Sequence, residues 1–325
     1  MSNLRHAQKP THKDGFRRWF GYLRLFGIGL FVVLLFRIDF SELGRQLVLT
    51  RKELLVTGLF FQLIVLAAKG VRWHLMNEKG NSISLWRRSL GRFYESYAVG
   101  VVTPGRMGEL LKAGHEEDRG NILAAIVRVV AERGLDIGVF VILAGLSVVA
   151  GTYLNWPLFY GGLVIFFGVA AIFISMLLLA SKKFNLMLNQ LLFRLSGKFK
   201  NVEVSLQGYS HRRSTAIILL SLASNLSYFV SCYFLALSVG LDVGFVWTSG
   251  AVAVSGLLNM LPVTIMGIGT RELTFLFVFS AFPRALVLSF SFLVMLVAQI
   301  GGGLMALVAG QLLLLPDRTN QTNHG

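Results

Sequence analysis

The sequence is poor in charge, in acidic residues and in cysteine. Only 14% of the 325 residues are charged, against roughly 25% in soluble domains, so a soluble globular class is disfavoured. Cys232 is the single cysteine, which excludes an intrachain disulfide. The six histidines lack the spacing of metal ligands, and no nucleophile is visible. We therefore expect no catalytic residue, no metal and no other cofactor, and we do not expect an enzyme.

What the sequence has in abundance is apolar residues, which make up 54% of the chain. Several stretches approach or exceed the roughly 20 residues that a helix needs to cross a bilayer. The predicted fold class is therefore all-α, a polytopic membrane protein with about six full spans. The six predicted spans are Phe20–Phe36, Leu54–Ala68, Ile122–Val149, Leu158–Ala180, Thr215–Val239 and Ala285–Leu314. The second is short as a strict apolar run, so we expect it to extend through Val71 or Trp73.

The net charge of +15 is best explained by basic residues that flank these spans. No nucleic-acid-binding module is visible, so nucleic acid is not an expected partner. Basic residues concentrate in the segments 5–18, 69–92 and 182–213, whereas residues 151–157 and 240–245 contain neither Lys nor Arg. The positive-inside rule then predicts a multi-pass protein of the cytoplasmic (inner) cell membrane with both termini in the cytoplasm. Lys69 and Arg72 are counted here as cytoplasmic.

One transmembrane domain is predicted over residues 20–315, between a basic cytoplasmic segment (1–19) and a polar tail (316–325). Within this domain, residues 181–214 form the one sizeable polar insertion. Apolar residues at helical spacing among Lys and Arg predict an amphipathic helix on the inner membrane surface. An ordinary interfacial linker and a lipid sensor are both compatible with this pattern.

Two further apolar stretches, Phe93–Ala113 and Val246–Phe282, do not fit single crossings because Pro, Gly, Arg and Glu interrupt them. The interruptions are Thr103–Glu109 in the first stretch, and Pro262 with Gly267–Glu272 in the second. Broken helix is tolerated at membrane depth inside protein or beside a water-filled cavity. Together with the loop charges, this predicts two re-entrant helical hairpins that enter from opposite faces, an inverted-topology repeat. The alternative is that each stretch crosses fully, once or twice.

Each interruption is predicted to start a short returning helix. Thr103 is a natural N-cap for a helix from Pro104 to Ala113, and Gly105 lies in its first turn. In the second stretch, Gly267 and Gly269 permit a tight turn, after which Thr270 is expected to cap a helix that begins at Arg271.

The helix N-termini, together with Arg106 and Arg271, make two points that attract anions, and lipid phosphate is the obvious ligand. A structural role for both arginines remains an alternative. Glu109 and Glu272 either pair with the arginines or recognise a cationic group or a proton.

A third charged cluster lies on the predicted span Ile122–Val149. Arg128, Glu132 and Asp136 are spaced by four residues, so they form one stripe on the helix, and Arg133 balances their charge. Such a set either binds helices together or lines a polar pathway. The candidate substrate-binding residues are therefore Thr103, Gly105, Arg106, Glu109, Arg128, Glu132, Arg133, Asp136, Gly267, Gly269, Arg271 and Glu272.

Three ordered motifs resemble the lysylphosphatidylglycerol synthase transmembrane-region family, a flippase-like domain. They are Tyr97–Ala113, Glu132-Arg133-x-x-Asp136, and Leu261-Pro262 through Gly267–Glu272. The resemblance covers nearly the whole chain and implies a polytopic lipid-handling protein. In the two-part synthases of this family, the domain is expected to move aminoacylated lipid between leaflets, and other relatives are linked to polyprenyl-phosphate sugar or hopanoid pathways. A stand-alone member ending soon after its last span is not expected to aminoacylate lipid by itself.

Two functions follow as hypotheses. The first is a translocator that moves an anionic phospholipid or a polyprenyl-phosphate-linked lipid between leaflets, with membrane lipids as its partners. The second is a non-transporting accessory subunit that presents a lipid-linked substrate to a separate glycosyltransferase or other envelope enzyme. An oligomer is compatible with both hypotheses.

Overall fold

The computed structural model describes residues 48–77, 82–114, 122–150, 158–181, 209–261 and 266–314, with isolated positions at 41, 44, 45 and 187. These residues are almost entirely helical. The helices of the first half are α1 (Lys52–Asn77), α2 (Ile83–Val102), a 3-10 segment (Pro104–Leu110), α3 (Leu111–Gly114), α4 (Ile122–Val149) and α5 (Leu158–Ala180). Those of the second half are α6 (His211–Ser238), α7 (Phe245–Asn259), α8 (Thr270–Val278), α9 (Arg284–Leu293), a π-helical segment (Val294–Gly301) and α10 (Gly302–Leu314).

Four described helical runs are long and apolar enough to cross a membrane, and each corresponds to a predicted span. They are Lys52–Asn77, Leu158–Ala180, His211–Ser238 and the continuous run Arg284–Leu314. The helix α4 has the predicted bounds and is long enough to cross a membrane. It is not one of these four because Arg128, Glu132, Arg133 and Asp136 interrupt its apolar sequence. The predicted span Phe20–Phe36, nearly all of the insertion 181–214 and both predicted tails lie outside the described residues.

Lys69 and Arg72 belong to a helix rather than to a basic segment that follows one. The helix α1 continues past the expected end near Val71 or Trp73 to Asn77, so both residues lie within it. Arg72 is fully buried and Lys69 is mostly buried, because carboxylates of α4 face them. Basic residues at the end of an apolar run are typical of a membrane flank, and here internal ion pairs override that pattern.

The first interruption is less regular than the predicted helix Pro104–Ala113. The chain forms a 3-10 segment up to Leu110 and then the four-residue helix α3. Gly105 and Arg106 adopt left-handed backbone conformations, with φ of 58° and 55°. The Thr103 hydroxyl accepts a hydrogen bond from the N–H of Gly108 at 2.8 Å, so it ties down the loop rather than capping a regular helix. The arm before the break, α2, begins at Ile83 and is longer than expected.

The second interruption contains the predicted glycine turn. Gly267 and Gly269 both have positive φ, and so does Met266 (56°). The helix α8 begins at Thr270, and its N-cap is Gly269 rather than Thr270. The Glu272 carboxylate accepts a hydrogen bond from the Gly269 N–H at 2.6 Å, which satisfies one of the free amides of the helix start. Pro262 lies outside the described residues.

The helices pack in a pattern that repeats between the two halves. The helices α1 and α6, which precede the two broken stretches, pack against each other. The helix α2 packs against α10, and α7 packs against α4, so each broken stretch lies on the helix that follows the other one. Within each stretch the chain also folds back, the 3-10 segment onto α2 and α8 onto α7. Corresponding helices of the two halves therefore have corresponding packing partners.

The helices α4 and α5 meet along a seam of glycines. A Cβ at Gly168 would lie 2.8 Å from the Gly138 carbonyl oxygen, and one at Gly161 would lie 3.1 Å from that of Gly145. Glycine at these positions lets the two backbones approach closely, as small residues do in membrane helix pairs.

The last run contains a π-helical segment, Val294–Gly301, between α9 and α10. Such segments leave backbone groups outside the regular ladder and occur frequently at functional sites. The side chain of Gln62 on α1 donates a hydrogen bond to the Ala298 carbonyl at 3.1 Å. The segment places Gln299 in the centre of the fold, where its side chain lines a cavity.

Candidate functional site

A polar cavity of about 50 Å³ lies where both halves of the fold meet. It is large enough for a few water molecules or a small polar group. Helices α1, α2, α4, α6 and α7, the 3-10 segment and the π-helical segment all contribute to its walls. Its charged lining residues are Lys69, Arg106, Arg133 and Asp136, and its neutral polar ones are Tyr97, Asn225, Tyr228, Asn259 and Gln299.

The charged residues of this cavity belong to one connected ionic network. From the Lys69 end, the network joins Lys69, Asp136, Arg72, Glu132, Lys112 and Glu109, and Glu109 then contacts both Arg106 and Arg133. Each carboxylate therefore has at least two basic partners. Charged groups inside a membrane protein are costly unless they pair in this way.

Arg72 is the centre of the network and reaches two carboxylates of α4. Its Nη1 lies 2.7 Å from Asp136 Oδ1, and its Nη2 lies 2.9 Å from Glu132 Oε1. The planar guanidinium suits this double contact because it presents several donors in a fixed geometry. Asn225 of α6 also donates to Asp136, at 3.0 Å. Three helices are thereby joined at one buried point.

The network carries a surplus of positive charge. Among the described residues it contains five cations (Lys69, Arg72, Arg106, Lys112 and Arg133) and three carboxylates (Glu109, Glu132 and Asp136), which leaves these residues with a formal charge of +2. In a site with low exposure to water, such a surplus attracts an anion more strongly than it would at the surface. The geometry is therefore suited to a ligand with negative charge.

Arg106 makes the longest of the ion pairs described for this network. Its Nη1 lies 3.6 Å from Glu109 Oε1, its side chain is 21% exposed, and its guanidinium lies over the Tyr97 ring. Its left-handed backbone conformation is uncommon for a residue other than glycine. Strained backbone persists where the surrounding structure holds it, and it is frequent at ligand sites. Arg106 combines these properties with a position on the cavity wall.

Arg271, the corresponding arginine of the second interruption, makes hydrogen bonds with three protein residues. Its side chain is 3% exposed, and its Nη2 lies 2.6 Å from Glu272 Oε1. It also donates to the Ser291 hydroxyl at 2.9 Å and to the Met266 carbonyl at 3.3 Å. The fully buried rings of Phe275 and Phe290 stack nearby with centroids 4.8 Å apart and fix α8 on α9. This arginine is engaged with protein groups.

A second, smaller cavity of about 10 Å³ adjoins the first. Tyr228, Gly256, Asn259 and Gln299 line both cavities, so the two form adjoining compartments. The second compartment reaches Gly267 and Arg271 of the second interruption. The two motifs that the sequence analysis singled out therefore meet in the interior, one at each compartment.

The structure places all of the predicted site residues except Arg128 in three groups. Arg106, Arg133 and Asp136 line the first cavity, and Gly267 and Arg271 line the second. Glu109, Glu132 and Glu272 stand behind them as ion-pair partners, and Thr103, Gly105 and Gly269 shape the two turns. Arg128 is not among the lining residues, and its Nη1 donates to Asn77 Oδ1 at 3.0 Å. Each member of the predicted stripe Arg128, Glu132 and Asp136 contacts α1. Glu132 also contacts Lys112 of α3, and Asp136 contacts Asn225 of α6.

Several residues of the site were missed by sequence reasoning. Lys69, Arg72 and Lys112 belong to the ionic network, while Asn225, Tyr228, Asn259 and Gln299 line the cavities. A signal for the amides was available, because Asn and Gln within apolar helices are expensive unless they have a function or a partner. Lys69 and Arg72 had no comparable signal, since their partners on α4 lie 60 to 67 residues away.

Long apolar helices that surround a buried cavity lined by charged side chains define a multi-pass helical membrane protein. The model of the family described as the lysylphosphatidylglycerol synthase TM region matches residues 24–306. The chain therefore belongs to this family, as its three motifs indicated. It matches no curated protein and no solved structure.

Proposed function

We propose that the protein is a lipid translocator that moves an anionic phospholipid or polyprenyl-phosphate-linked lipid between the leaflets of the cytoplasmic membrane. The observation that carries the proposal is the cavity between the two interrupted helical stretches, whose ionic network has a formal charge of +2. A head-group phosphate supplies the matching negative charge. Paired interruptions in corresponding halves are typical of transporter binding sites.

In this proposal the two interrupted stretches are re-entrant hairpins, and both termini lie in the cytoplasm. Arg106 contacts the phosphate, while Lys69 and Arg133 contribute charge from the opposite walls. Arginine suits this task because its guanidinium matches phosphate geometry and stays charged. The acyl or prenyl tails remain in the bilayer, since the cavity holds only a small polar group.

The proposal is tested with purified protein in liposomes that contain acyl-labelled phosphatidylglycerol. A membrane-impermeant quencher reports the fraction of label that reaches the outer leaflet. We expect wild type to move the lipid and Arg106→Ala to move it at least about tenfold more slowly, because a charge-assisted contact of roughly 1.5–3 kcal/mol is lost. Arg106→Lys should retain part of the rate.

Arg284→Ala is the matched control, because Arg284 is an exposed arginine at the start of α9. It should move lipid at the wild-type rate. If wild type moves none of a broad panel of anionic lipids, the translocator proposal is wrong. Co-purification of a glycosyltransferase with such an inactive protein would then favour the accessory-subunit function.

A further inference from the structure

The two adjoining cavities differ in chemistry. The first has the cations Lys69, Arg106 and Arg133 on its walls. The polar side chains of the second are Tyr228, Ser255, Asn259, Gln299 and Arg271, and the charge of Arg271 is neutralised by Glu272 at 2.6 Å. The first compartment is therefore cationic, whereas the second is neutral and rich in hydrogen-bonding groups.

Gln299 lines both compartments, and its side-chain oxygen is a buried acceptor without a partner in the part of the chain that the structure describes. Gln299 is 6% exposed, and its Oε1 accepts no hydrogen bond from the described residues. A buried polar atom without a partner costs about 1–3 kcal/mol, so a ligand that donates a hydrogen bond to it is stabilised. The compartment has room for about one hydroxyl-sized group.

The carboxylates of the site are already engaged. Asp136 is bound by Lys69, Arg72 and Asn225, and Glu109 is contacted by Arg106, Lys112 and Arg133. Neither carboxylate is left to neutralise a cation carried by a ligand. An ammonium group in this cavity would add to a surplus of positive charge, and such like-charge contacts cost several kcal/mol.

Building on the proposed function, we propose that the lipid head group occupies both compartments. The two compartments together then determine which head groups the protein binds. The phosphate lies in the cationic compartment, and an uncharged hydroxyl of the same head group donates to Gln299 Oε1 in the neutral one. The preferred substrates are therefore anionic lipids whose phosphate bears a polyol, such as glycerol or a sugar. Head groups that carry ammonium groups, including aminoacylated ones, are rejected.

Binding by detergent-purified protein, followed by native mass spectrometry, tests the selectivity apart from transport. Three probes are compared, namely phosphatidylglycerol, phosphatidylethanol and lysyl-phosphatidylglycerol. The first two have the same charge, and phosphatidylethanol lacks the glycerol hydroxyls. We expect phosphatidylglycerol to bind about fivefold more tightly than phosphatidylethanol, which corresponds to one hydrogen bond. It should bind at least about tenfold more tightly than lysyl-phosphatidylglycerol.

Two substitutions at Gln299 test whether this residue is responsible for the lipid preferences. Gln299→Met is close in shape but cannot accept the hydroxyl, so the fivefold preference over phosphatidylethanol should fall to about one. Gln299→Glu adds an anion to the neutral compartment and should raise the binding of lysyl-phosphatidylglycerol relative to phosphatidylglycerol several-fold. Gln311→Leu is the matched control on an exposed part of α10 and should retain the wild-type preferences.

The inference is overturned if lysyl-phosphatidylglycerol binds as tightly as phosphatidylglycerol. It is also overturned if Gln299→Met, with a wild-type unfolding temperature, keeps the fivefold preference. Should Gln299→Met unfold early, Gln299→Glu decides the question through the same ratio of lipids. A protein that binds selectively but moves no lipid contradicts the proposed function and leaves this inference standing.

Discussion

At the scale of single residues, the two arginines of the interrupted stretches have diverged in role. Arg106 lies on the cavity wall with one long contact to a carboxylate, whereas Arg271 has short contacts to Glu272 and Ser291. The two arginines look alike in the sequence, because each lies within three residues of a Gly and a Glu. The structure separates an arginine that is accessible to a ligand from one that fixes the protein.

Substitution of Arg271 should reduce stability far more than substitution of Arg106. Arg271→Ala leaves the buried Glu272 carboxylate without its cation, and breaking a buried pair costs about 3–5 kcal/mol. Arg106→Ala removes a partly exposed contact of 3.6 Å and should cost about 1 kcal/mol or less. Thermal unfolding in detergent measures both, with Arg284→Ala as the exposed control. Equal unfolding temperatures for the two variants would contradict the assignment of roles.

The predictability of the site also differs from residue to residue. Glu132, Arg133 and Asp136 were found because several charges on an apolar helix stand out. Arg72 was missed because basic residues after an apolar run are what a membrane flank shows. Gln299 was missed although an amide within an apolar run is itself a signal, because its place in the site depends on the π-helical segment, which the sequence did not predict.

At the scale of helices, the seam between α4 and α5 is specified by where glycine occurs. The helix α5 offers a matched pair, since Gly161 lies against α4 and its neighbour Gly162 does not. A Cβ at Gly161 would lie 2.5 Å from Val149 Cγ2, whereas one at Gly162 would have nothing within 4 Å.

Gly161→Leu should therefore destabilise the protein, and Gly162→Leu should not. Overpacking of a close contact typically costs about 1–3 kcal/mol, and the nearby Gly145 carbonyl leaves no room for relief. The unfolding temperature of each variant in the same detergent measures the difference. The seam would be misassigned if both variants unfolded at the wild-type temperature.

The bounds of helices were predicted best where apolar sequence ends at polar residues. The helices α4 and α5 have the predicted bounds, because their ends are marked on both sides. The break at Thr103 was located, but its 3-10 form was not predicted. The left-handed pair Gly105 and Arg106 depends on contacts with α2, where a Cβ at Gly108 would lie 2.8 Å from the Val99 carbonyl.

At the scale of the whole molecule, the exchange of packing partners between the halves agrees with two repeats. Each interrupted stretch lies on the helix that follows the other one, α2 on α10 and α7 on α4. The sequence alone indicated repeats through two similar motifs. The contacts between α1 and α6 could not be predicted, because no local pattern specifies which distant helices meet.

The direction in which each stretch enters the membrane can be measured with single cysteines. Cys232 is buried and is replaced by alanine to give a background without cysteine. Single cysteines are then placed at Glu116 and Arg284 and treated with an impermeant thiol reagent in oriented vesicles. We expect the two positions to label from opposite sides, because the proposed hairpins return to opposite faces.

In the proposed orientation Tyr153 lies outside and Asn320 lies in the cytoplasm, so single cysteines at these two positions serve as references. Arg284 should label together with Tyr153, and Glu116 should label together with Asn320. If Glu116 and Arg284 label from the same side, the two stretches do not enter as an inverted pair.

The central position of Arg72 constrains how the protein is made. Its carboxylates, Glu132 and Asp136, are synthesised 60 and 64 residues later. At roughly 5–20 residues per second, the ribosome needs on the order of several seconds to supply them. Until then the nascent α1 carries an uncompensated guanidinium, so its C-terminal turns should remain in the translocon or at the lipid surface. Full insertion of α1 into the membrane therefore has to wait until α4 has been synthesised.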